Sequence, residues 1–223
     1  MASKKRGDFS PRIDELLQPE RKLWAEGFCF IAGVDEAGRG PLAGPVAAAA
    51  VVLPRNVTLP AVFDSKQLSD TARRSLRDEI YALPGVQIGV SLIDAEIIDK
   101  INILQATHRA MREAVAQLEN VDCVLVDGLA VHGFNVESHN LVKGDSLSAS
   151  IAAASIVAKV ARDDVMIEMD GIYPEYGFSV HKGYGTAAHL RALQEYGPCP
   201  VHRRSFRPVR EIIDPPPEQL ELL

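Results

Sequence analysis

Four acidic residues stand where apolar or helical stretches of the sequence begin or end. They are Asp35, Glu36, Asp127 and Asp145. A carboxylate at the end of a buried strand costs free energy unless a cation or a polar partner compensates its charge. Oxygen-only ligands suit hard divalent cations, Mg²⁺ or Mn²⁺, better than zinc. Two such ions about 4 Å apart would activate a water and stabilise the leaving oxygen of a phosphodiester.

Asp35 and Glu36 directly follow the apolar run 31–34. Neighbouring residues of a strand point to opposite faces, so both acids can serve one site only where the pleat ends. We expect the glycines at positions 38 and 40 to supply that break.

Asp127 follows a second apolar run, 123–126, and Asp145 precedes a long predicted helix. Ligands of α/β folds collect at such ends of elements. Two plainer interpretations stay open at this stage. Asp145 could be only a helix N-cap, and Asp127 with Gly128 could be only a turn.

The elements that must position these acids are predicted from apolar periodicity. Strands are predicted at 28–34, 45–53, 86–93 and 123–126. Helices are predicted at 12–27, 103–118, 146–169 and 186–196, the last ending at Gly197. Strands interleaved with helices over 223 residues indicate one α/β layered domain around a central sheet.

The charge distribution allows an acidic partner despite a net charge of −6. Residues 181–210 carry six cations against the single acid Glu195, a local charge of +5. Such a surface can neutralise phosphates, although it can equally be an ordinary solvated face.

Three widely spaced cysteines and the absence of a long apolar segment indicate the compartment. Three cysteines cannot form a full disulfide framework, and the pair Cys199 and His202 lacks the two further ligands of a structural zinc site. The most apolar stretch, 41–54, is too short to span a bilayer of roughly 30 Å. We therefore expect a soluble, cytoplasmic protein with no membrane partner.

The block at 33–46, GVDEAGRGPLAGPV, resembles the signature of the type 2 ribonuclease H family, and within it the bacterial ribonuclease HII group. Further blocks match that family in order: 64–69, 102–107, 126–128, 143–145, 150–156 with 158–160, 181–186 and 202–206. The resemblance extends from about residue 29 to residue 209.

This resemblance implies an α/β fold of the RNase H type, a mixed five-stranded central sheet flanked by helices, with a helical C-terminal part. It also implies that Asp35, Glu36, Asp127 and Asp145 are the catalytic residues and bind Mn²⁺ or Mg²⁺. We expect a polar N-terminal arm at 1–27, a catalytic domain at 28–210 and an acidic, proline-containing tail at 211–223.

The activity that the resemblance implies is endonucleolytic hydrolysis of the RNA strand of RNA/DNA hybrids. It includes cleavage 5′ of single ribonucleotides embedded in duplex DNA and leaves 3′-hydroxyl and 5′-phosphate ends. We expect a monomer, and the sequence leaves a contact with a replication clamp open.

Substrate contacts are expected at Gly38, Arg39, Gly40 and Tyr184. Backbone groups of the glycine-rich turn can approach a ribose 2′-hydroxyl, and Arg39 can add a phosphate contact. Tyr184 resembles the family tyrosine that packs on the sugar next to the ribonucleotide. Further phosphate contacts are expected at Lys143, Lys182, Arg203 and Arg204.

Three rival functions are weighed against this one. Ribonuclease HIII would normally carry an additional N-terminal binding domain, for which the residues before Phe28 do not suffice. A DNA nuclease of the wider fold would not need a ribose sensor. A non-catalytic nucleic-acid-binding protein would not need all four acids.

Overall fold

The sheet of this protein is described from a computed structural model that covers residues 15–57 and 68–215. Its strands are β1 (Ile31–Ala37), β2 (Val46–Val52), β3 (Gln87–Ile93), β4 (Cys123–Asp127) and β5 (Glu137–Leu141). The strand order is β3-β2-β1-β4-β5. The pairs of β2 are antiparallel, whereas β1 with β4 and β4 with β5 are parallel. The sheet is therefore mixed and five-stranded, as the family resemblance implies.

Helices cover both faces of this sheet. They are α1 (Gln18–Glu26), α2 (Asp70–Tyr81), α3 (Ala95–Val115), α4 (Ala149–Ile172), α5 (Phe178–His181), α6 (Ala187–Tyr196) and α7 (Arg207–Ile213). The face of β2 that carries Ala48 and Ala50 packs against α3, and the face that carries Ala49 and Val51 packs against α4. Because β2 is buried on both sides, its sequence is a continuous apolar run rather than an alternating one.

Helix α4 lies unusually close to the central strand. A Cβ at Gly33 of β1 would overlap the backbone of Ser150 and Ile151 in the first turn of α4. Only a glycine permits this approach, so the position of α4 depends on residue 33.

The first helix of the described chain is part of the domain. Glu20 is buried, and its Oε1 accepts from the hydroxyls of Ser148 and Ser150 at 2.6 Å and from the Ser150 amide at 2.9 Å. A carboxylate is favourable here because the N-terminus of α4 carries partial positive charge. The predicted boundary after residue 27 needs correction, since α1 is docked on the catalytic domain. The boundary after residue 210 also needs correction, because it falls within α7.

The long helix α3 is divided by Asn102, which has a φ of 65°. Asp94 caps the first part by accepting from the amide of Ile97, and Asn102 accepts in the same way from the amide of Gln105. The predicted helix at 103–118 corresponds to the second part. The motif at 64–69 lies largely outside the described residues, as do residues 1–14 and 216–223. Within the described ranges, no helix has the length and apolar character needed to cross a membrane.

Two buried histidines form a directional hydrogen-bond chain in the C-terminal part. The Cys199 amide donates to Nδ1 of His202 at 3.0 Å, so the proton of that ring lies on Nε2. This Nε2 contacts Nε2 of His189 at 3.0 Å, and His189 donates from Nδ1 to the carbonyl of Tyr184 at 2.9 Å. Both rings are neutral in this arrangement. Burial lowers the pKa of His189 and lowers that of His202 to about 4.

Substitution of Gly33 by alanine should destabilise the protein, because the added methyl group must push α4 away from β1. We expect a loss of about 1–3 kcal/mol in the free energy of unfolding, measured by urea denaturation. Gly171→Ala is the matched control, since nothing lies within 4 Å of its Cβ position in α4. The control should be neutral or gain up to about 1 kcal/mol. Equal stabilities of the two variants would contradict the close contact at Gly33.

The stability of the protein should fall as the pH drops from about 6.5 to 4. Unfolded His202 takes up a proton near pH 6.5, whereas the folded ring stays neutral until about pH 4, so the unfolded state binds more protons in this window. The advantage of the parent over His202→Asn should therefore shrink by up to about 3 kcal/mol between pH 7 and pH 4. His132→Asn, at an exposed position, should keep the parent's pH dependence. An unchanged difference between the parent and His202→Asn would refute the prediction.

Candidate active site

The two acids of β1 lie inside the strand rather than beyond its end. Pairing with β2 continues through Ala37 and the strand ends directly before Gly38, so the break lies at the expected glycine but both acids precede it within the strand. Asp35 pairs with Ala49, which faces α4, and Glu36 pairs with Ala48, which faces α3. The two carboxyl groups therefore leave opposite faces of β1.

The parallel pairing of β1 with β4 brings the third acid to the same edge of the sheet. Val34 is paired with Val126, so Asp35 and Asp127 occupy equivalent positions on neighbouring strands. Oδ1 of Asp127 accepts from the amide of Gly144 at 2.5 Å. That bond fixes the turn Gly144–Ser146, which carries Asp145 directly before α4.

The pKa values of the carboxyl groups reflect their proximity. Burial raises the pKa of Asp35 well above its usual value, and the carboxylates of Glu36, Asp127 and Asp145 raise it further. Burial also raises the pKa of Glu36, while a hydrogen bond from Arg39 opposes the shift. Asp35 and Asp145 are only 7% and 8% exposed. The structure thus concentrates negative charge in a poorly solvated place, where a cation would be stabilised.

The donor chemistry of this cluster fits a divalent cation, although the side chains do not yet surround one. Among residues 15–57 and 68–215, no three His, Cys, Asp or Glu side chains form a ready-made metal-binding group. Glu36 is engaged by Arg39 at 3.1 Å, and Asp127 is engaged by the Gly144 amide. A cation would have to draw these oxygens away from their present partners. The residues available to hold it are the four carboxylates.

Asp35 and Glu36 open onto a cleft of about 310 Å³. Its lining is Asp35, Glu36, Ala37, Gly38, Arg73, Asp145, Ser155, Lys159 and Tyr184. Sequence analysis missed the two cations of this lining. Lys159 lies in a block that resembles the family, but no role was predicted for it. Arg73 on α2 lies outside every block of the resemblance. Lys159 also pairs with Asp163 at 2.6 Å.

A second cleft of about 160 Å³ lies on the α3 side and shares Glu36 with the first. Asp127, Arg39 and His108 contribute polar groups to it, and Leu104 and Met111 contribute apolar ones. The four acids therefore straddle two adjoining clefts rather than lining a single one.

The predicted ribose-binding residues lie together beside the acids. Tyr184 is 47% exposed and lines the larger cleft with Gly38. A Cβ at Gly40 would lie 3.7 Å from Cε1 of the Tyr184 ring. Gly38 has a φ of 91°, and a Cβ there would overlap the side chain of Arg162. Glycine is therefore required at position 38 by the protein's own packing.

Arg203 does not have the position expected of a phosphate contact. Its side chain is fully buried, and its guanidinium donates to backbone carbonyls instead. The expected phosphate contact is therefore wrong for Arg203. Lys143 and Arg204 are exposed, whereas Lys182 is half-buried and donates from Nζ to the carbonyl of Ser179.

Comparison with known proteins identifies the family. The profile of the family described as Ribonuclease HII matches residues 32–209. Ribonuclease HII of Geobacter metallireducens is 53% identical over 213 residues, which cover 92% of this chain and 99% of the relative. That of Ruminiclostridium cellulolyticum is 53% identical over 196 residues, covering 87% of this chain and 76% of the relative.

The fold is shared with a solved structure. The crystal structure of ribonuclease H2 from Pyrococcus horikoshii superposes with a TM-score of 0.66 at 27% identity, covering 82% of this chain and 96% of that one. The expected RNase H-type fold is thereby confirmed. The chain belongs to the ribonuclease HII family and is a metal-dependent endoribonuclease that acts on the RNA of RNA/DNA hybrids.

Proposed function

We propose that this enzyme also cuts duplex DNA on the 5′ side of a single embedded ribonucleotide, with Asp35, Glu36, Asp127 and Asp145 as its metal-binding acids. One observation carries the proposal. Gly38, Gly40 and Tyr184 lie at the edge of the cleft that Asp35 and Asp145 line. The residues that recognise the ribose would thus lie next to the acids that cleave the adjacent phosphodiester.

The four carboxylates would hold the cation, and their oxygen-only donor set would favour Mg²⁺ or Mn²⁺. A bound divalent cation supplies the Lewis acidity that activates a water and stabilises the leaving oxygen. The water oxygen attacks phosphorus, the bond from phosphorus to the 3′-oxygen breaks, and a proton passes to that oxygen. The products are a 3′-hydroxyl and a 5′-phosphate, as the family resemblance implies.

Cationic side chains around the clefts orient the substrate backbone. Arg39 is half-exposed and can exchange Glu36 for a phosphate. Lys143, Lys182 and Arg204 are assigned further phosphate contacts, and Arg73 and Lys159 add positive charge within the larger cleft. The Tyr184 ring packs on the sugar next to the ribonucleotide. A monomeric state stays a prediction from the sequence, whereas the sequence makes no prediction about a contact with a replication clamp.

The proposed function is tested with a labelled DNA duplex that contains one ribonucleotide, in Mg²⁺ or Mn²⁺. The parent should make a single cut 5′ of that ribonucleotide and should leave an all-DNA duplex intact. Asp35→Asn should lower the rate by about 10²-fold or more, because one charge that holds the cation is lost. Asp164→Asn is the matched control, since Asp164 pairs with Arg74 outside the clefts and its loss should leave the rate nearly unchanged.

Two outcomes would contradict parts of this proposal. Cleavage of long hybrids without cleavage at a single ribonucleotide would restrict the enzyme to hybrids. Full activity of Asp35→Asn would remove the assigned role of the acids.

Tyr184→Ala should lower kcat/KM for the single-ribonucleotide duplex by about tenfold, which is the contribution of one stacked aromatic ring. Tyr184→Phe keeps the ring and should retain most of the parent's activity. Steady-state kinetics on the same duplex measures both variants. If the alanine variant cut this substrate as well as the parent does, Tyr184 would have no part in recognising the sugar.

A further inference from the structure

Arg203 is a fully buried cation whose partners are backbone carbonyls. Its Nε donates to Gly44 at 3.0 Å, one terminal nitrogen donates to Arg39 at 3.0 Å, and the other donates to Gly38 at 2.6 Å. The ring of Phe206 packs on the guanidinium with its centroid 5.0 Å from Cζ. Burial and the nearby Arg162 lower the pKa of Arg203 to about 9. Such a costly group indicates that the three carbonyls must be held in place.

The planar fork of arginine suits this task. Three N–H directions in one plane reach three carbonyls at once, which the single ammonium of a lysine cannot do. The Gly38 and Arg39 carbonyls belong to the turn assigned to ribose recognition. Gly44 lies farther along the same loop, so Arg203 ties the turn to the loop that follows it.

Because Arg203 holds the Gly38 and Arg39 carbonyls, it also fixes the direction of the next two amides. In a trans peptide the C=O and N–H groups point in opposite directions, and the described residues contain no cis bond. With the Gly38 carbonyl held by Arg203, the amide of Arg39 must point away from Arg203. The same holds for the Arg39 carbonyl and the amide of Gly40. Arg39 and Gly40 are exposed, so both amides point outward from the buried arginine.

Arg162 is equally buried but holds different groups. Its guanidinium donates to the carbonyls of Pro45, Ala43 and Lys182 at 2.9–3.2 Å. It therefore joins Ala43 and Pro45 to the segment that contains Lys182. Its side chain also packs against Gly38, but its hydrogen bonds go to carbonyls outside residues 38–40. The two buried arginines therefore bind different carbonyls of the same loop: Arg203 binds those of residues 38, 39 and 44, and Arg162 binds those of residues 43 and 45.

We propose that Arg203 is a positioning residue for ribose specificity: by holding the Gly38 and Arg39 carbonyls, it presents the Arg39 and Gly40 amides as paired donors to the 2′-hydroxyl of the ribonucleotide. This inference rests on the proposed function, because it assigns the turn at 38–40 to that hydroxyl. Arg203 lies 165 positions after Gly38 in the sequence, and it would act on ribose specificity through the turn, without touching the substrate.

The test compares Arg203→Lys with the parent in two measurements. The first is kcat/KM for the single-ribonucleotide duplex, and the second is the inhibition constant of an all-DNA duplex of the same sequence used as a competitor. We expect kcat/KM to fall about tenfold or more, the equivalent of one lost hydrogen bond to a polar group. The inhibition constant should stay unchanged, because DNA offers no 2′-hydroxyl.

The matched control is Ile80→Val, which removes volume from a buried cluster that contains no residue of the loop 38–45. It should lower the melting temperature and keep both kinetic constants. A parent-like kcat/KM for Arg203→Lys would overturn the inference. So would a parallel weakening of the DNA competitor, because that would indicate a general loss of the binding surface. Failure of the parent to cut the ribonucleotide duplex would instead overturn the proposed function.

A measurement on the intact fold keeps the inference testable if Arg203→Lys does not fold. In ¹⁵N-labelled Asp35→Asn protein, the amide signals of Arg39 and Gly40 should shift downfield with the ribonucleotide duplex and not with the all-DNA duplex. Identical shifts with both duplexes would overturn the inference.

Discussion

The backbone contact between α4 and β1 is the constraint on which the active site depends. The acids come from three separate elements: β1, β4 and the turn that precedes α4. Gly33 lets the first turn of α4 rest directly on β1, and Glu20 holds the same turn through Ser148 and Ser150. Because Asp145 lies only a few residues before that turn, its distance from Asp35 is set by the same contact. A bulkier residue at position 33 would shift the acid together with the helix.

The charges of the site are arranged for ligand binding rather than for stability. Burial and the neighbouring carboxylates raise the pKa of Asp35, a cost to folding that a bound cation would offset. The fully buried cations Arg162 and Arg203 donate hydrogen bonds to backbone carbonyls instead of pairing with the acids. The negative charge of the acids is therefore largely uncompensated. Three other cations, Arg39, Arg73 and Lys159, line the same clefts. Function thus explains an arrangement that packing alone would not favour.

The sequence predicts the buried elements of this fold better than the exposed ones. Four strands are apolar and were predicted within a few residues, whereas β5 was missed by periodicity because Glu137–Leu141 is a polar, largely exposed edge strand. The four acids stand out because each follows or precedes an apolar stretch. The role of Arg203 could not be predicted, since a buried arginine and a phosphate-binding arginine have the same local sequence. The division of α3 at Asn102 likewise depends on a backbone angle that the apolar pattern does not report.

The bond between Glu20 and Ser150 also bears on how the chain folds during synthesis. It joins two residues that are 130 positions apart, so it forms only after α4 has left the ribosome. The apolar strand β2 is synthesised about 100 residues before α4. At roughly 5–20 residues per second, the face of β2 that packs against α4 stays uncovered for on the order of 10 s. An apolar strand without its covering helix is prone to aggregation while it waits. The face of the sheet that packs against α4 can therefore be completed only late in synthesis, after Ser150 has been added to the chain.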